Sequence, residues 1–544
     1  ESAEDAGPAE ETYAWLVTLT WQVSSYFYLN FYPDIIIFYG FLWILAVTAL
    51  AALAFPPFGR ILAKPCFRSY GISLGEVLVA ISLFVTTLLF GFYWLFQHEY
   101  HNGKAILDKV FVERTFRTCG MLAVFFMALL ILPASKNSLW HTALGVSWEN
   151  GLWVHRVLGQ VALVFMLLHI LFVWIRFVTL GTFPYDAFAM ILYYISVDSE
   201  VYPSYDNYTI AMQEMVAYPA IIMISTFLWR RSGGIKWEIF KYLHYVFLVL
   251  IPSTLFHAES SWYFLLGGVV FWLFDAATRF FGVVSKPAHL VSAEAWEVED
   301  GVSVLTLNRI STEPGGFVWI KVPEISEFEW HPFSICSAAP DTIQLCIKSM
   351  GQGTFTGQLF EKTKAVAENG YFDVQVDGPY GPAFMPNVGT HVGFVLLAGG
   401  IGITQSHSVF RFLSRLAASG GLPEHLRFVH LVWTAKEPNM FSILSASLQE
   451  GLRELSEASG VNVSITLQAT NMETQEIPAM SLPLGEKGRP DFRQIFDDIV
   501  KKNEITAEET FIVQACGPGS MVEAASNAAL DWDIIEFQSA AFAL

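Results

Sequence analysis

The sequence predicts a polytopic α-helical membrane bundle, then an antiparallel β-barrel, then an α/β domain, and three observations carry that expectation. Long apolar runs fill the first half of the 544 residues, whereas the second half alternates short strands with helices. With 53% hydrophobic but only 15% charged residues, the chain is too apolar for one soluble domain and too long for one core. A continuous apolar strand, Gly393 to Ala398, enters the glycine turn Gly399-Gly400-Ile401-Gly402-Ile403-Thr404, as in a buried parallel sheet. The pattern divides the chain into an amino-terminal segment 1–33, a membrane domain 34–284, a barrel 285–388 and an α/β domain 389–544. The composition changes near Lys286 and Pro287.

The first eleven residues are acidic and small, and disorder is expected there. Tyr13 to Phe31 is apolar but interleaved with Thr, Ser, Gln and Asn, so it reads as an interfacial helix or a further span. Seven stretches then suit the roughly 20 residues of a membrane crossing. They are Ile35 to Phe55, Leu74 to Phe96, Thr118 to Leu132, Leu152 to Phe177, Met215 to Trp229, Ile239 to His257 and Tyr263 to Phe281. Arg60, Lys64 and Arg68 follow the first span, Arg230, Arg231 and Lys236 precede the sixth, and Arg279 and Lys286 follow the seventh. All fall on one side, which the positive-inside rule makes cytoplasmic, so the second half is expected in the cytosol. The loop from Thr179 to Glu214 is then on the opposite side, where Asn207-Tyr208-Thr209 is a glycosylation sequon.

A net charge of −19, with no clustered Lys or Arg, excludes a nucleic-acid partner. Cys66, Cys119, Cys336, Cys346 and Cys516 are scattered without CxxC spacing, which supports neither a disulfide framework nor a zinc ribbon.

Four histidines lie inside two spans: His155 and His169 in one, His244 and His257 in the other. Ionisable groups at membrane depth are costly, and neutral imidazole is a standard axial ligand of haem iron. A lone histidine is equally well explained by a hydrogen bond to a neighbouring helix. Two matched pairs instead suggest two b-type haems, His155 with His244 at the inner site and His169 with His257 at the outer. Fourteen residues span about 21 Å and nearly four turns, so His155 and His169 share a helix face at two depths. His244 and His257 are thirteen apart, which turns the second off the first face unless Pro252 introduces a kink or a tightened 3₁₀ stretch. His98 and His101 read as interfacial residues, with metal capture as the alternative.

Beyond Pro287, short alternating strands such as Val302 to Leu307 and Ile343 to Ile347 suit a small antiparallel barrel. The glycine turn after Ala398 opens a helix, an arrangement that brings backbone N–H groups to a pyrophosphate. Strands at Arg427 to Thr434 and Thr510 to Cys516 extend that sheet.

The paired membrane histidines, His331-Pro332-Phe333-Ser334, Gly353-Thr354-Phe355-Thr356, Gly399 to Thr404, and Cys516-Gly517-Pro518-Gly519-Ser520-Met521 occur in that order. Together they resemble the ferric reductase and NADPH oxidase superfamily over nearly the whole chain. The resemblance implies a six-helix ferric reductase core with at least one added amino-terminal helix, an FAD-binding barrel, and an NADPH-binding domain of ferredoxin-NADP reductase type. His331, Pro332, Phe333 and Ser334 would hold the flavin and its ribityl chain, Ser334 standing for the family's usual Thr. Thr356 would open a helix whose N-terminus receives the FAD phosphates, with Gly353 among the cofactor-binding residues. Gly399, Gly400, Gly402 and Thr404 would line the NADPH pyrophosphate, and Cys516, Gly517 and Pro518 the nicotinamide, with Cys516 as the catalytic-site residue. Trp433-Thr434-Ala435-Lys436 resembles a segment that commonly ends in Arg at the 2′-phosphate; Lys436 keeps the charge without the bidentate fork. Gln405 replaces the usual Pro after the turn. The chain ends Ala541-Phe542-Ala543-Leu544 where the family often has a terminal aromatic over the flavin, a part Phe542 would take.

A hydride carries two electrons and haem iron accepts one, so FAD is needed to divide the pair. Three readings follow. The first is a metalloreductase acting on chelated Fe(III), and by extension Cu(II), supported by the added amino-terminal span, the His155-Arg156-x-Leu-Gly segment and the acidic outer residues Asp198, Glu200 and Asp206. The second is an NADPH oxidase forming superoxide, supported by the thirteen-residue spacing and by Arg117 near the start of a span. The third is a channel with a regulatory nucleotide-binding domain, which leaves the His331 motif unexplained. The first is the expectation adopted, in a multi-pass protein of the plasma membrane whose contacts are lipid and a small-molecule or chelated-metal acceptor. No Asp-x-Asp-x-Asp-Gly loop is present, so calcium gating is not expected from this sequence.

Overall fold

The computed structural model describes residues 33–62, 65–67, 72–97, 109–136, 148–184, 219–222, 239–240, 242–258, 261–285, 288–309, 315–366, 371–380, 391–457, 460–471, 482 and 488–540. The stretch 13–31, His98, His101, the sequon, the acidic outer residues, the basic loop 230–236, most of the span 215–229 and Phe542 lie outside them. The chain divides into two compact units between Ala276 and Ala277.

The first unit is helical: α1 (Pro33–Ala54), α2 (Leu74–Gln97), α3 (Lys109–Ile131), α4 (Trp148–Leu180), α5 (Phe247–His257) and most of α6 (Trp262–Ser285). Five of these are long and apolar enough to cross a membrane, and the chain is a multi-pass membrane protein. Helix α3 is the hub: 67% of its apolar window is buried, against 11–22% for the other four. Phe125 on α3 anchors an aromatic cluster, with Phe38 of α1 at 5.5 Å and Phe90 of α2 at 4.9 Å. Phe264 of α6 closes it at 5.2 Å from Phe38. Trp43, Phe84 and Phe274 point outward and are exposed, the pattern of a lipid-facing surface. Helix α3 starts at Lys109 rather than at the expected Thr118. It runs through Arg117, which is paired 2.5 Å from Glu113 one turn earlier, so charge does not end the helix.

In the second unit, β1 (Leu290–Trp296), β2 (Val302–Leu307), β3 (Phe317–Lys321), β4 (His331–Ala338), β5 (Ile343–Lys348) and β6 (Gln375–Tyr380) form one antiparallel sheet in the order β1-β2-β5-β4-β3-β6. The expected barrel is corrected to this open order, since β1 and β6 do not pair among the described residues. Helix α7 (Phe355–Val366) packs its Phe355 and Leu359 into the sheet's apolar core. The α/β part follows: β7 (Gly393–Gly399), α8 (Ile403–Ala418), β8 (Phe428–Ala435), α9 (Ser445–Glu457), β9 (Asn462–Ala469), α10 (Phe492–Lys502), β10 (Phe511–Cys516), α11 (Gly519–Ala529) and β11 (Ile535–Ala540). Its five strands are parallel, in the order β9-β8-β7-β10-β11. All seven residues of β7 and all six of β10 are buried, as strands covered on both faces require.

The two parts of this unit share a core containing Val302 and Cys336 from the antiparallel sheet with Phe394 and Trp433 from the parallel one and Phe410 from α8. His407 on α8 fastens them. Its Nδ1 lies 2.8 Å from the Cys336 carbonyl and its Nε2 2.9 Å from the Ser447 hydroxyl. Burial pushes its pKa down to about 4, so it is neutral at physiological pH.

Candidate functional site

The four histidines meet in two pairs. His155 faces His244 with ring centroids 6.2 Å apart, and His169 faces His257 at 6.3 Å, with ring planes near perpendicular at 81° and 83°. The register that sequence spacing left unresolved is supplied by a tightened stretch between His244 and His257. Tyr245, Val246, Leu248 and Val249 each donate to the carbonyl three residues back. This 3₁₀ segment precedes Pro252, where the distortion was expected. At about 2.0 Å rise per 3₁₀ residue, it stretches the thirteen-residue interval to roughly the 21 Å that separates His155 from His169.

An imidazole nitrogen binds a first-row metal at about 2 Å, so two rings on opposite sides of one ion have centroids roughly 6 Å apart. Distance alone also suits an edge-to-face aromatic pair. The hydrogen bonds of the two α4 histidines add a second observation. His155 Nδ1 lies 2.9 Å from the Leu130 carbonyl and His169 Nδ1 2.7 Å from the Phe116 carbonyl, both on α3. A carbonyl only accepts, so Nδ1 carries the proton and the lone pair is on Nε2, the tautomer of a metal-ligating histidine. No group of three or more His, Cys, Asp or Glu gathers among the described residues. A group that brings its own equatorial ligands and takes two axial imidazoles, as haem does, fits this donor set. Gly120 makes the second pair possible: a Cβ there would lie 2.9 Å from His169 Nδ1.

In the second unit, the His331 ring stacks on Phe355 with centroids 4.1 Å apart, and Phe333 lies 6.4 Å from the same ring. The expected flavin motif at the start of β4 is thereby brought to the first turn of α7. Ser334 is buried, and Pro332, paired opposite Trp319, donates no N–H. Helix α7 is capped by Thr354, whose hydroxyl accepts from the Gly357 N–H at 3.0 Å and donates to the Gly351 carbonyl at 2.8 Å. Thr356, expected to open the helix, lies within its first turn and accepts from the Met350 N–H. Thr354 rather than Thr356 therefore opens the helix, and a Thr just before a helical run is a capping signal. Gly353 takes the positive φ that turns the chain into the helix.

The two remaining motifs converge at the carboxyl ends of β7 and β10, where the strand order reverses and parallel sheets bind ligands. A Cβ on Gly399 would lie 2.7 Å from both Pro518 Cδ and Met521 Sδ, and one on Gly402 would lie 2.5 Å from the Cys516 carbonyl. Only glycine lets these turns pack. Gly400 has φ +56, and its carbonyl accepts from Trp433 Nε1 at 3.0 Å. Trp433, expected among the cofactor contacts, is fully buried behind the turn and braces it. Thr404 is buried in the first turn of α8. Lys436 is exposed just past the end of β8, at the same edge of the sheet. Burial pushes the Cys516 thiol up to about 12, so it presents a neutral SH rather than a thiolate. Gln405 is completely buried, and neither amide atom has a hydrogen-bond partner among the described residues.

Three family models match in the same order as these sites. A ferric reductase like transmembrane component covers residues 119–255, an FAD-binding domain 298–384, and a ferric reductase NAD binding domain 392–530. The chain belongs to the ferric reductase and NADPH oxidase superfamily. Among its curated relatives, ferric reduction oxidase 8 of Arabidopsis thaliana is 25% identical over 68% of this chain and 50% of its own length. Ferric reduction oxidase 5 of the same plant is 27% identical, over 62% and 46%. A superoxide-generating NADPH oxidase heavy chain of Dictyostelium discoideum is 22% identical, over 72% of this chain and 80% of its own. The chain thus spans about half the length of the plant relatives it matches. Among solved structures, ferredoxin-NADP+ reductase from Plasmodium falciparum aligns with 47% of this chain and 97% of its own, at 13% identity and a TM-score of 0.34. The family is an oxidoreductase family, and this member carries FAD- and NAD(P)-binding domains.

Proposed function

We propose that this chain moves electrons from NADPH through FAD and two b-type haems to a chelated Fe(III), with Cu(II) as a second metal acceptor, on the opposite face of the membrane. The observation that carries the reading is the two histidine pairs, 6.2 and 6.3 Å between rings. In each pair the histidine on α4 is fixed as the ligating tautomer by an α3 carbonyl. Bound FAD supplies the conversion of a two-electron donor into single electrons. His331, Pro332, Phe333 and Ser334 form the wall against which the flavin would rest, and the N-terminus of α7 would receive its phosphates. Gly399, Gly400, Gly402 and Thr404 would line the NADPH pyrophosphate, and Lys436 offers the charge for its 2′-phosphate. Cys516, Gly517 and Pro518 border the nicotinamide, the buried neutral thiol acting through its shape.

His155 and His244 would hold one haem, and His169 and His257 the other. Held in this way, each haem would supply one-electron transfer, with both of its histidines occupied in holding it. The plasma membrane is the proposed location, with the nucleotide-binding unit in the cytosol. The names of the plant relatives favour iron. A second reading, reduction of O2 to superoxide, is favoured by the Dictyostelium relative, which this chain matches over 80% of that protein's length.

The experiment uses the full chain in liposomes, NADPH on the flavin side, and ferric citrate without oxygen, or oxygen alone, on the other. Anaerobic Fe(II) formation that tracks NADPH consumption, with little superoxide in air, supports the metalloreductase. Iron reduction that occurs only in air and disappears with superoxide dismutase selects the oxidase.

A further inference from the structure

Arg176 lies on α4 seven residues past His169, about two turns and 10 Å further along the same helix face. Its Nη1 is buried and has no hydrogen-bond partner among the described residues. Two nearby arginines are held within the chain: Arg117 pairs with Glu113, and Arg156 Nε donates to the Leu152 carbonyl. A guanidinium nitrogen buried without a partner near the end of an apolar helix is costly, and it points to an anion that the described residues do not supply. Helical side chains lean toward the N-terminus, which directs Arg176 back toward the level of His169.

Resting on the haem reading above, we propose that Arg176 binds a propionate of the haem held by His169 and His257, and thereby raises that haem's potential. A propionate is the one anionic group a b-type haem presents at its rim, and guanidinium matches a carboxylate bidentately. Ferric haem carries one more positive charge than ferrous haem. A fixed cation nearby therefore favours the ferrous form, and its removal lowers the potential.

The test is an anaerobic spectroelectrochemical titration of the purified full chain, comparing Arg176→Gln and Arg176→Lys with the unaltered protein. The expected result for Arg176→Gln is a downward shift of one haem potential, or loss of that haem, while the other keeps its potential; Arg176→Lys recovers most of the shift. If Arg176→Gln fails to fold, seen as lost flavin reduction by NADPH, the lysine variant carries the test, because losing the bidentate fork still moves one potential and not the other. Two haems with unmoved potentials overturn the proposal. If the KM for ferric citrate rises in that case, the guanidinium serves the anionic ligand of the acceptor instead. An unaltered protein without any bis-histidine haem spectrum would defeat the parent reading, an outcome distinct from unmoved potentials.

Discussion

Gly120 on α3 and the Nδ1 edge of His169 on α4 approach so closely that one added methyl group separates two expectations. A Cβ at position 120 would lie 2.9 Å from Nδ1 and 3.1 Å from Cε1, roughly half an ångström inside ordinary contact. The ring cannot yield without losing its 2.7 Å bond to the Phe116 carbonyl, because that bond fixes its orientation. Losing such an outer partner typically lowers metal affinity about 10- to 100-fold, or about 1.4 to 2.8 kcal/mol. Helix propensity moves the other way, by about 1 kcal/mol in favour of Ala, so Gly120→Ala does not weaken the helix itself. The control is Gly159→Ala on α4, where nothing lies within 4 Å of the added carbon. Haem-to-flavin ratio in purified protein is the assay. Gly120→Ala should fall from two haems toward one, with NADPH-dependent flavin reduction intact, and Gly159→Ala should keep both. An unchanged ratio and ferrous spectrum in Gly120→Ala, or an equal loss in both variants, would refute the ligand assignment.

Three further outcomes are expected. Lys436→Ala should lower kcat/KM for NADPH on the order of tenfold, as loss of one hydrogen bond to a charged group does, and leave NADH unaffected; steady-state kinetics with both nucleotides checks it. Trp433→Phe should remove the bond to the Gly400 carbonyl, costing about 0.5–1.5 kcal/mol because that carbonyl keeps the Ile403 N–H as a donor; a melting curve and a raised KM for NADPH report it, with haem content unchanged. His407 and His430 are each pushed down to about 4, chiefly by burial. Their folded values lie below the unfolded value near 6.5, so their stabilising contribution is lost as pH falls from about 6.5 toward about 4. At pH 5.5 the two together should cost roughly 3 kcal/mol, seen as earlier thermal release of flavin than at pH 7.5.

Much of the architecture was legible in the chain because solvent partition acts on composition. Apolar runs of membrane length gave α1, α2, α4 and α6 nearly at their observed bounds, and the run from Gly393 into the glycine turn gave β7 and α8. Helix α3 began earlier than hydropathy indicated because its charges are neutralised one turn apart, a pairing that a window average does not register. Thr354 was passed over for Thr356, since which hydroxyl caps a helix depends on where the helix begins.

The sequence by itself determined which residue types stand at which depth: four histidines in apolar helices, and three glycine-containing turns at strand ends. Only the tertiary structure decided how they meet. The 3₁₀ stretch that brings His257 level with His169 is a matter of backbone hydrogen bonds, which composition does not encode. The carbonyls of Leu130 and Phe116 that fix the imidazole tautomers belong to every residue alike and are invisible in a sequence. Trp433 likewise changed from a cofactor contact to a brace because its burial depends on what α8, α9 and the neighbouring strands place over it. Local physics chose the elements, and packing between residues far apart in the chain chose the site.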